Sequence, residues 1–464
     1  MAADQSVRTR MLTAPVFPLV LRLGVPTMIS MLTPAIYNTA STYFVSYLGT
    51  AAVGALGVVF ALQMLMGAIG IMIGQGCASQ TSRLLGAGKT DEASAIAGTG
   101  MVLVLAGGLL YLILGELFLD ELLTAAGATP GILPWARAYG EILLLGAPVM
   151  CASFTLNNLL RSEGLAFIGM AGLVSGGILN VLLTPLFIFT FDLGIEGAAW
   201  AAVLSQAVSF AGLLSHYFFG SGLIRLERPT WQTLCALTPR IIGNGVPSLT
   251  RNLLGATAAS VLNLSAGAFG DAAVAAMSIV GRVLMSVNAI MIGLGQGFQP
   301  VLGFNWGAGK YGRIRRALSL TLLSGFVFMC SAAVACWVFA PDVIGLFEIR
   351  EPEVYTIGIM ALQFTAVGFP FIPVSMIANM TFQVLGRARM ATFLASLRQG
   401  IFFLPAVVGL PLIFGIEGLC AAQSAAEGLA FMVSAVILER FRRQVNEAEK
   451  AQNAQRTKTA AENH

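Results

Sequence analysis

The chain contains the same pattern of apolar residues and glycines twice. Residues 49–89 align without a gap with residues 270–310, at a constant offset of 221 residues. The same offset aligns Gly24-Val25-Pro26 with Gly245-Val246-Pro247, and it aligns 194–197 with 415–418. Matches of composition alone do not keep one register over so long a span, so the offset indicates two homologous halves. We therefore expect a duplicated fold with halves at about 17–220 and 238–440.

The composition excludes a water-soluble fold. The chain is 57% hydrophobic and only 10% charged, whereas soluble domains carry about 25% charged residues. Its apolar runs are long enough to cross a bilayer as helices. They are continuously apolar and do not alternate at period two, which excludes a transmembrane β-barrel. The sequence predicts an all-α integral membrane protein.

Hydropathy predicts twelve transmembrane helices, six in each half. The halves are expected at 17–219 and 240–440, with a polar connector at 220–239 between them. The termini at 1–16 and 441–464 are polar, and the second is expected to be a frayed helix followed by disorder. The twelve spans are expected near 17–46, 52–81, 95–118, 136–159, 166–190, 195–219, 240–268, 273–303, 317–340, 355–381, 392–413 and 417–439.

Charged residues in the connections predict the orientation. Basic residues occupy both termini and alternate connections, while the opposite connections hold mostly acids, with Arg137 and Arg350 as the exceptions. By the positive-inside rule both termini and the connector are cytoplasmic. An even number of spans per half makes the two repeats parallel, with a central cavity expected between them. The acidic side contains Asp120, Glu121, Asp192, Glu196, Asp271, Asp342, Glu348, Glu351, Glu353 and Glu417.

Four ionisable residues inside the predicted spans stand out, all of them in the second half: Arg251, Arg282, Arg398 and Glu427. Ionisable groups at membrane depth are energetically costly and are functional candidates by default. Glu427 is a carboxylate that could carry a coupling proton, with the arginines tuning it. The alternative is a structural ion pair, for example between Arg398 and Glu427. Glu141, near the outer end of its span, is expected to be interfacial and beside Arg137.

The candidates inside the spans of the first half are uncharged polar residues. Tyr37 and Ser41 are four residues apart, as are Asn180 and Thr184, so each pair shares one face of a helix. That spacing predicts a polar wall on a cavity, although hydrogen bonding between helices is the alternative. The residues expected to line a substrate cavity are Tyr37, Ser41, Gln63, Asn157, Asn180, Thr184 and Gln206.

Other chemistries find no support in the sequence. The six cysteines contain no CxxC pair and fall mostly inside apolar runs, so we expect core residues and no disulfide, metal site or cofactor. No GxxxxGK[ST] loop is present, which argues against ATP as the energy source. With two histidines and no HExxH, a membrane-embedded enzyme is disfavoured, and nothing points to nucleic acid.

Several motifs resemble those of a known family. They include Leu85-Gly86-Ala87-Gly88-Lys89, Gly295-Gln296-Gly297-Phe298-Gln299-Pro300, Phe304-Asn305-Trp306-Gly307-Ala308-Gly309-Lys310, and Leu397-Arg398-Gln399 followed by Pro405. With Pro26, Ile36-Tyr37-Asn38 and Gly49 at the first span, these motifs resemble the multidrug and toxic compound extrusion (MATE) family, in its bacterial branch. The resemblance covers about residues 15–440.

The resemblance implies two six-helix lobes, alternating access, and export of amphipathic, often cationic compounds driven by inward H⁺ or Na⁺. Tyr37, Ser41, Asn157 and Asn180 match cavity positions of the family. Many bacterial members carry an acid in the first span and another in the fifth, where this chain has Ser41 and Thr184. We therefore expect ion coupling to depend on the second half, around Glu427, Arg398, Arg282 and Arg251.

The expected function is secondary active export of amphipathic, drug-like small molecules from the cell across the inner membrane. The protein is expected to act as a monomer in the lipid bilayer, with no cofactor and no nucleic-acid partner. The alternative, from the same superfamily, is a flippase for lipids or lipid-linked saccharides. In that case the intramembrane arginines would hold an anionic head group.

Overall fold

The computed structural model describes residues 2–220, 222–347 and 351–462. Within those ranges the chain is almost entirely helical and contains no strand, as the sequence predicts. Glu348, Arg350 and His464, which entered the sequence argument, lie outside the described residues.

The first half begins with a short helix and continues with long apolar ones. Its helices are α1 (Ala2–Thr13), α2 (Val16–Ser46), α3 (Thr50–Ala87), α4 (Thr90–Leu117), α5 (Leu119–Ala125), α6 (Leu133–Leu145), α7 (Ala147–Ser162), α8 (Ala166–Pro185) and α9 (Gly194–Phe219). A π-helical turn, Leu186–Thr190, extends α8.

The second half repeats this order. Its helices are α10 (Trp231–Gly267), α11 (Asp271–Gly307), α12 (Tyr311–Val338), α13 (Ala340–Gly345), α14 (Pro352–Gly368), α15 (Ile372–Val384), α16 (Ala388–Ser396) and α17 (Phe403–Glu462). A π-helical turn, Leu397–Ile401, joins α16 to α17.

The described helices account for twelve membrane spans. Nine helical segments are long and apolar enough to cross a bilayer, and α6 and α7, bent by 55° at their junction, form a tenth span. The segment from α16 into α17 contains two spans, because Gly415 (φ 59°, ψ −138°) breaks α17. The twelfth is α10, which is more polar because it carries Arg240 and Arg251. The protein is thus a multi-pass membrane protein with six spans in each half.

Equivalent glycines flank equivalent helices in the two halves. Gly49 (φ 116°) and Gly270 (φ 97°) precede α3 and α11, and Gly88 (φ 81°) and Gly309 (φ 64°) follow them. Residues with side chains rarely adopt these positive φ values, so glycine is the residue that permits both turns. The repeated sequence therefore produces a repeated backbone.

The chain divides into two compact units. Unit 1 contains the residues up to Thr13 and Arg22–Leu249, and unit 2 contains Ala14–Leu21 and the residues from Thr250 onwards. Glycines allow close helix packing inside each unit. A Cβ on Gly76 would lie 2.1 Å from the Ile241 carbonyl oxygen, and one on Gly295 would lie 2.4 Å from the Met380 sulfur. Small residues at such contacts are typical of membrane helix pairs.

The expectation of a frayed and disordered tail is wrong for residues 441–462, because α17 continues to Glu462. Phe441 and Val445 are buried there. The Phe441 ring lies 6.0 Å from that of Trp306 and 5.7 Å from that of Phe382. The sequence did not predict this contact, because the apolar residues of the tail are isolated among polar ones.

The connector is shorter than expected. Residues 222–230 form neither helix nor strand, and α10 begins at Trp231, ahead of the predicted start at 240. This part lies against α4, where the Arg225 backbone N–H donates to the Ser94 hydroxyl at 3.1 Å. A Cβ on Gly98 would lie 2.0 Å from the Glu227 carbonyl oxygen, so the connector backbone lies directly on α4.

Candidate functional site

A chain of polar side chains crosses unit 1. Tyr37 on α2 has the Gln206 side chain of α9 as its hydrogen-bonding neighbour. Tyr139 on α6 lies beside Tyr37 and has Gln63 of α3 as its own hydrogen-bonding neighbour. Three of the predicted cavity residues therefore come together on four helices. Tyr139 is a member that sequence reasoning missed, because a single tyrosine in a span carries no signal of which helix face it occupies.

A second polar group lies one helical turn along α2. The Ser41 hydroxyl donates to the Asn180 side-chain oxygen of α8 at 3.0 Å, and the Thr184 hydroxyl donates to the Asn180 carbonyl at 2.7 Å. Asn180 and Thr184 are buried. The group contains no ionisable side chain, so its members are joined by neutral hydrogen bonds alone.

Asn157 lies apart from both groups. It is buried on α7, and its side-chain nitrogen is 2.7 Å from where a Cβ on Gly169 would stand. Among the described residues no hydrogen bond links it to either group. Six of the seven predicted cavity residues therefore fall into two groups of three, and the seventh lies at the contact between α7 and α8.

Unit 2 holds a buried ion pair. Arg398, on the π-helical turn Leu397–Ile401, donates from Nε to Oε1 of Glu427 on α17. Its Nη2 donates to the Asn288 side-chain oxygen of α11 at 3.1 Å, and Gln423 Nε2 donates to the same Glu427 oxygen at 2.9 Å. Glu427 is only 1% exposed, and the Arg398 side chain is 13% exposed. π-Helical turns inside helices are frequent at functional sites.

The second carboxylate oxygen of Glu427 takes no part in this ion pair. Oε2 is buried and has no hydrogen-bond partner among the described residues. An unpaired buried acceptor is energetically costly, and the cost is higher when the group is charged. A proton on Oε2 would remove that charge, which makes Glu427 a candidate position for a proton.

The other two arginines differ in their surroundings. Arg251 on α10 donates from Nη1 to the Asn379 side-chain oxygen at 3.2 Å, and its charge is close enough to that of Arg398 for the two to interact. Arg282 is exposed on α11, and its side chain makes no hydrogen bond to the other described residues. Of the four predicted ionisable residues, three are therefore brought together and Arg282 is not.

The repeat places Gln206 and Glu427 at the same position. They are separated by the offset of 221 residues and follow Gly194 and Gly415, which begin equivalent helical segments. One position thus carries a neutral amide facing a tyrosine in unit 1 and a carboxylate facing an arginine in unit 2. This correspondence was available in the sequence. The partners Asn288, Gln423 and Asn379 were not, because ordinary polar residues carry no signal of which helix face they occupy.

Charged residues at the ends of the spans have structural partners. Arg137 Nε and Glu141 Oε1 are 2.8 Å apart in an exposed pair, as their spacing predicts. Glu163, fully buried after α7, accepts from the Tyr217 hydroxyl at 2.8 Å and from the Leu223 backbone N–H at 3.0 Å. It fixes the start of the connector. In the part of the chain that the structure describes, no three His, Cys, Asp or Glu side chains form a group suited to a metal.

Comparison with known proteins gives the same family for both halves. The MatE family model matches residues 26–186 and 247–408. Multidrug export protein MepA of Staphylococcus aureus is 25% identical over 430 residues, covering 92% of this chain and 94% of that protein. Multidrug export protein MepA of Staphylococcus saprophyticus subsp. saprophyticus is 26% identical over 444 residues, covering 94% and 96%.

Solved structures share the fold. An outward-facing multidrug resistance MATE family transporter of the MOP superfamily gives a TM-score of 0.87 at 25% identity, covering 95% of this chain and 98% of that one. A MATE structure in the bent conformation gives a TM-score of 0.88 at 24% identity, covering 97% and 99%. Since the family model matches both halves and most of the chain, this protein belongs to the MatE family, the multidrug and toxic compound extrusion family that its motifs resemble.

Proposed function

We propose that this protein is a secondary active exporter of amphipathic, drug-like compounds that works by alternating access. The observation that carries the proposal is its similarity to the multidrug export protein MepA over nearly the whole length of both chains. Cationic compounds are expected among the substrates, as the family resemblance implies. The protein performs no covalent chemistry on them.

Substrates contact the neutral polar groups of unit 1. Tyr37, Ser41, Gln63, Asn180, Thr184 and Gln206 offer hydroxyl and amide groups, which both donate and accept hydrogen bonds. Groups of this kind accept ligands of varied chemistry because none of them imposes a fixed charge. Asn157 supplies a further amide at the contact between α7 and α8.

Coupling to an inward proton gradient takes place at Glu427. When Oε2 is unprotonated, the carboxylate forms an ion pair with Arg398, which holds the π-helical turn against α17. Protonation removes the negative charge and leaves Arg398 as a buried cation without a counter-charge. Such a change is worth several kcal/mol, which is enough to change the relative stability of two conformations of these helices. Arg251 contributes to the electrostatic environment of this site, whereas Arg282 is exposed on α11 and is assigned no part in it.

The protein works as a monomer in the inner membrane, with both termini in the cytoplasm. The lobes extend over 17–219 and 240–440, and the segments 1–16, 220–239 and 441–464 are cytoplasmic. The support is the concentration of Lys and Arg in these segments and in alternate connections. Its partners are small-molecule substrates, the coupling ion and the bilayer, with no nucleic acid.

Transport by reconstituted protein tests this proposal. Proteoliposomes are loaded with ethidium, a fluorescent cation, and its movement is followed under an imposed pH gradient and then under a Na⁺ gradient. Transport driven by the pH gradient is expected for the native protein. Glu427→Gln removes the proton-carrying group, so it is expected to lower pH-driven transport by about tenfold or more.

Glu141→Gln is the matched control, because it makes the same chemical change at an exposed pair near the end of a span. It is expected to transport like the native protein. Full pH-driven transport by Glu427→Gln contradicts coupling at Glu427, and dependence on Na⁺ alone contradicts proton coupling. Absence of movement under either gradient contradicts the proposal that the protein is a secondary exporter.

A further inference from the structure

We infer that the Arg251 guanidinium in unit 2 binds the carboxylate of an amphipathic substrate. This rests on the proposed export function and adds a substrate class to it. Compounds that carry a carboxylate, zwitterions included, would be held at a site that neutral and purely cationic compounds do not use.

The charge balance within unit 2 leads to this inference. Arg398 has a carboxylate partner in Glu427, whereas no Asp or Glu among the described residues lies within ion-pair distance of Arg251. The charge of Arg398 lies on the neighbouring element, since Gln399 of its π-helical turn contacts Gly255 of α10. A cation within a membrane-spanning helix is costly by itself, and a second cation beside it raises the cost. A bound anion reduces it.

The Arg251 side chain has N–H groups that can donate hydrogen bonds to such an anion. A guanidinium carries five N–H groups in a planar fork, which matches the two oxygens of a carboxylate. One bond of Arg251 is accounted for, from Nη1 to Asn379 at 3.2 Å. None of its nitrogens is among the buried atoms without a hydrogen-bond partner, and the residue is only partly buried. Its remaining N–H groups make no hydrogen bond to the other described residues, so they are left for a ligand.

The partner of Arg251 is held in place beforehand. Asn379 is buried, and its side-chain nitrogen donates to the Ala391 carbonyl oxygen at 2.6 Å, which leaves its side-chain oxygen to face Arg251. A guanidinium held by a fixed partner loses less freedom when a ligand binds, so the affinity is greater. The Gln399 side chain lies beside Gly255, one turn along α10, and adds a polar group near the site.

The fold does not require an arginine at this position. The residue that corresponds to Arg251 at the offset of 221 is Ser30. The Ser30 hydroxyl donates to the Pro26 carbonyl of its own helix at 3.0 Å. The same helix position in unit 1 is therefore occupied by a small neutral side chain that is satisfied locally. The arginine in unit 2 is better explained by a ligand than by packing.

Binding of two matched probes tests the inference. Dansyl-undecanoate carries a carboxylate, and its primary amide is neutral but otherwise the same. The full-length protein is placed in nanodiscs of neutral lipid, and binding is measured by dansyl fluorescence with empty discs subtracted. The carboxylate probe is expected to bind about tenfold more tightly than the amide, the ratio expected for charge-assisted hydrogen bonds.

Variants of one helix then locate the site. Arg251→Gln is expected to weaken binding of the carboxylate about tenfold and to leave binding of the amide unchanged. Arg251→Lys keeps the charge but loses the fork, so it is expected to fall between these values. Arg240→Gln removes the same charge from an exposed position of α10 and is expected to bind both probes like the native protein.

Each outcome has one meaning. Equal affinity of the native protein for the two probes overturns the inference, and this comparison needs no variant to fold. Equal loss of both probes in Arg251→Gln also overturns it, because a structural role would act on both. Ethidium transport without preference for the carboxylate overturns the inference and leaves the export function intact. Carboxylate preference without transport of any probe supports the site and contradicts the export function.

Discussion

At the scale of single residues, the two repeats use the same positions for different electrostatics. Gln206 and Glu427 correspond, as do Ser30 and Arg251, and in each pair the ionisable member belongs to unit 2. At these positions unit 1 carries neutral side chains, and neighbouring polar groups are joined by neutral hydrogen bonds, such as that from Ser41 to Asn180. Unit 2 carries a buried ion pair, Arg398 with Glu427, and removing these two charges from water is energetically costly.

The buried pair predicts an asymmetry between single and double substitutions. Arg398→Gln leaves the Glu427 carboxylate buried without a counter-charge and is expected to destabilise the protein by about 3–5 kcal/mol. The double variant Arg398→Gln, Glu427→Gln removes both charges and is expected to lose much less. The loss in Arg398→Gln is expected to shrink at lower pH, because protonation removes the unpaired charge.

Thermal unfolding of the purified protein in detergent at two pH values measures these differences. Equal midpoints for Arg398→Gln and the double variant would contradict a buried ion pair. The sequence alone predicted Arg398 and Glu427 as partners, because charged residues are rare in the spans. It did not predict Asn288 or Gln423, since their part depends on how each helix is rotated about its axis.

At the scale of elements, the sequence predicted the helices well and their ends less well. Long apolar runs and glycine turns such as Gly49 and Gly88 define most spans. The last helix was the main error, because Phe441 and Val445 are isolated apolar residues in a polar tail. Their burial depends on Trp306 and Phe382, which are distant in the sequence, so no local pattern indicates it.

Two substitutions in this helix separate apolar packing from surface charge. Phe441→Ala removes a buried ring and is expected to cost about 3–5 kcal/mol. Glu449→Ala removes an ion pair in which Glu449 Oε2 lies 3.2 Å from Nη1 of Arg315, a side chain that is 46% exposed. Its loss is expected to cost about 0–1 kcal/mol. Limited proteolysis of the tail, combined with thermal unfolding, compares them. A larger effect of Glu449→Ala would mean that charge, and not packing, holds the helix.

At the scale of the whole molecule, hydropathy, duplication and the distribution of charge predicted the class of protein and its membrane topology. The twelve spans followed from these features, since hydropathy is a sum over many residues, whereas the family was indicated by the motifs that the chain shares with it. The direction in which a single polar side chain points depends on the rotation of its helix about the helix axis, and hydropathy averaged over a span does not contain that information. The orientation in the membrane is still a prediction, and it follows from the positive-inside rule.

A cysteine of the natural sequence tests the orientation. Cys235 is exposed near the start of α10, beside the connector that is predicted to be cytoplasmic, whereas Cys77, Cys151, Cys336 and Cys420 are buried. A membrane-impermeant maleimide is expected to label Cys235 in inside-out vesicles and not in intact cells. Cys235→Ser is expected to abolish the signal.

Thr129→Cys in that background adds an exposed thiol to the turn after α5, on the side predicted to face outward. It is expected to reverse the pattern, with labelling in intact cells alone. The reverse result for both positions would mean that the basic connections face outward, and the proton gradient would then act on the opposite end of unit 2.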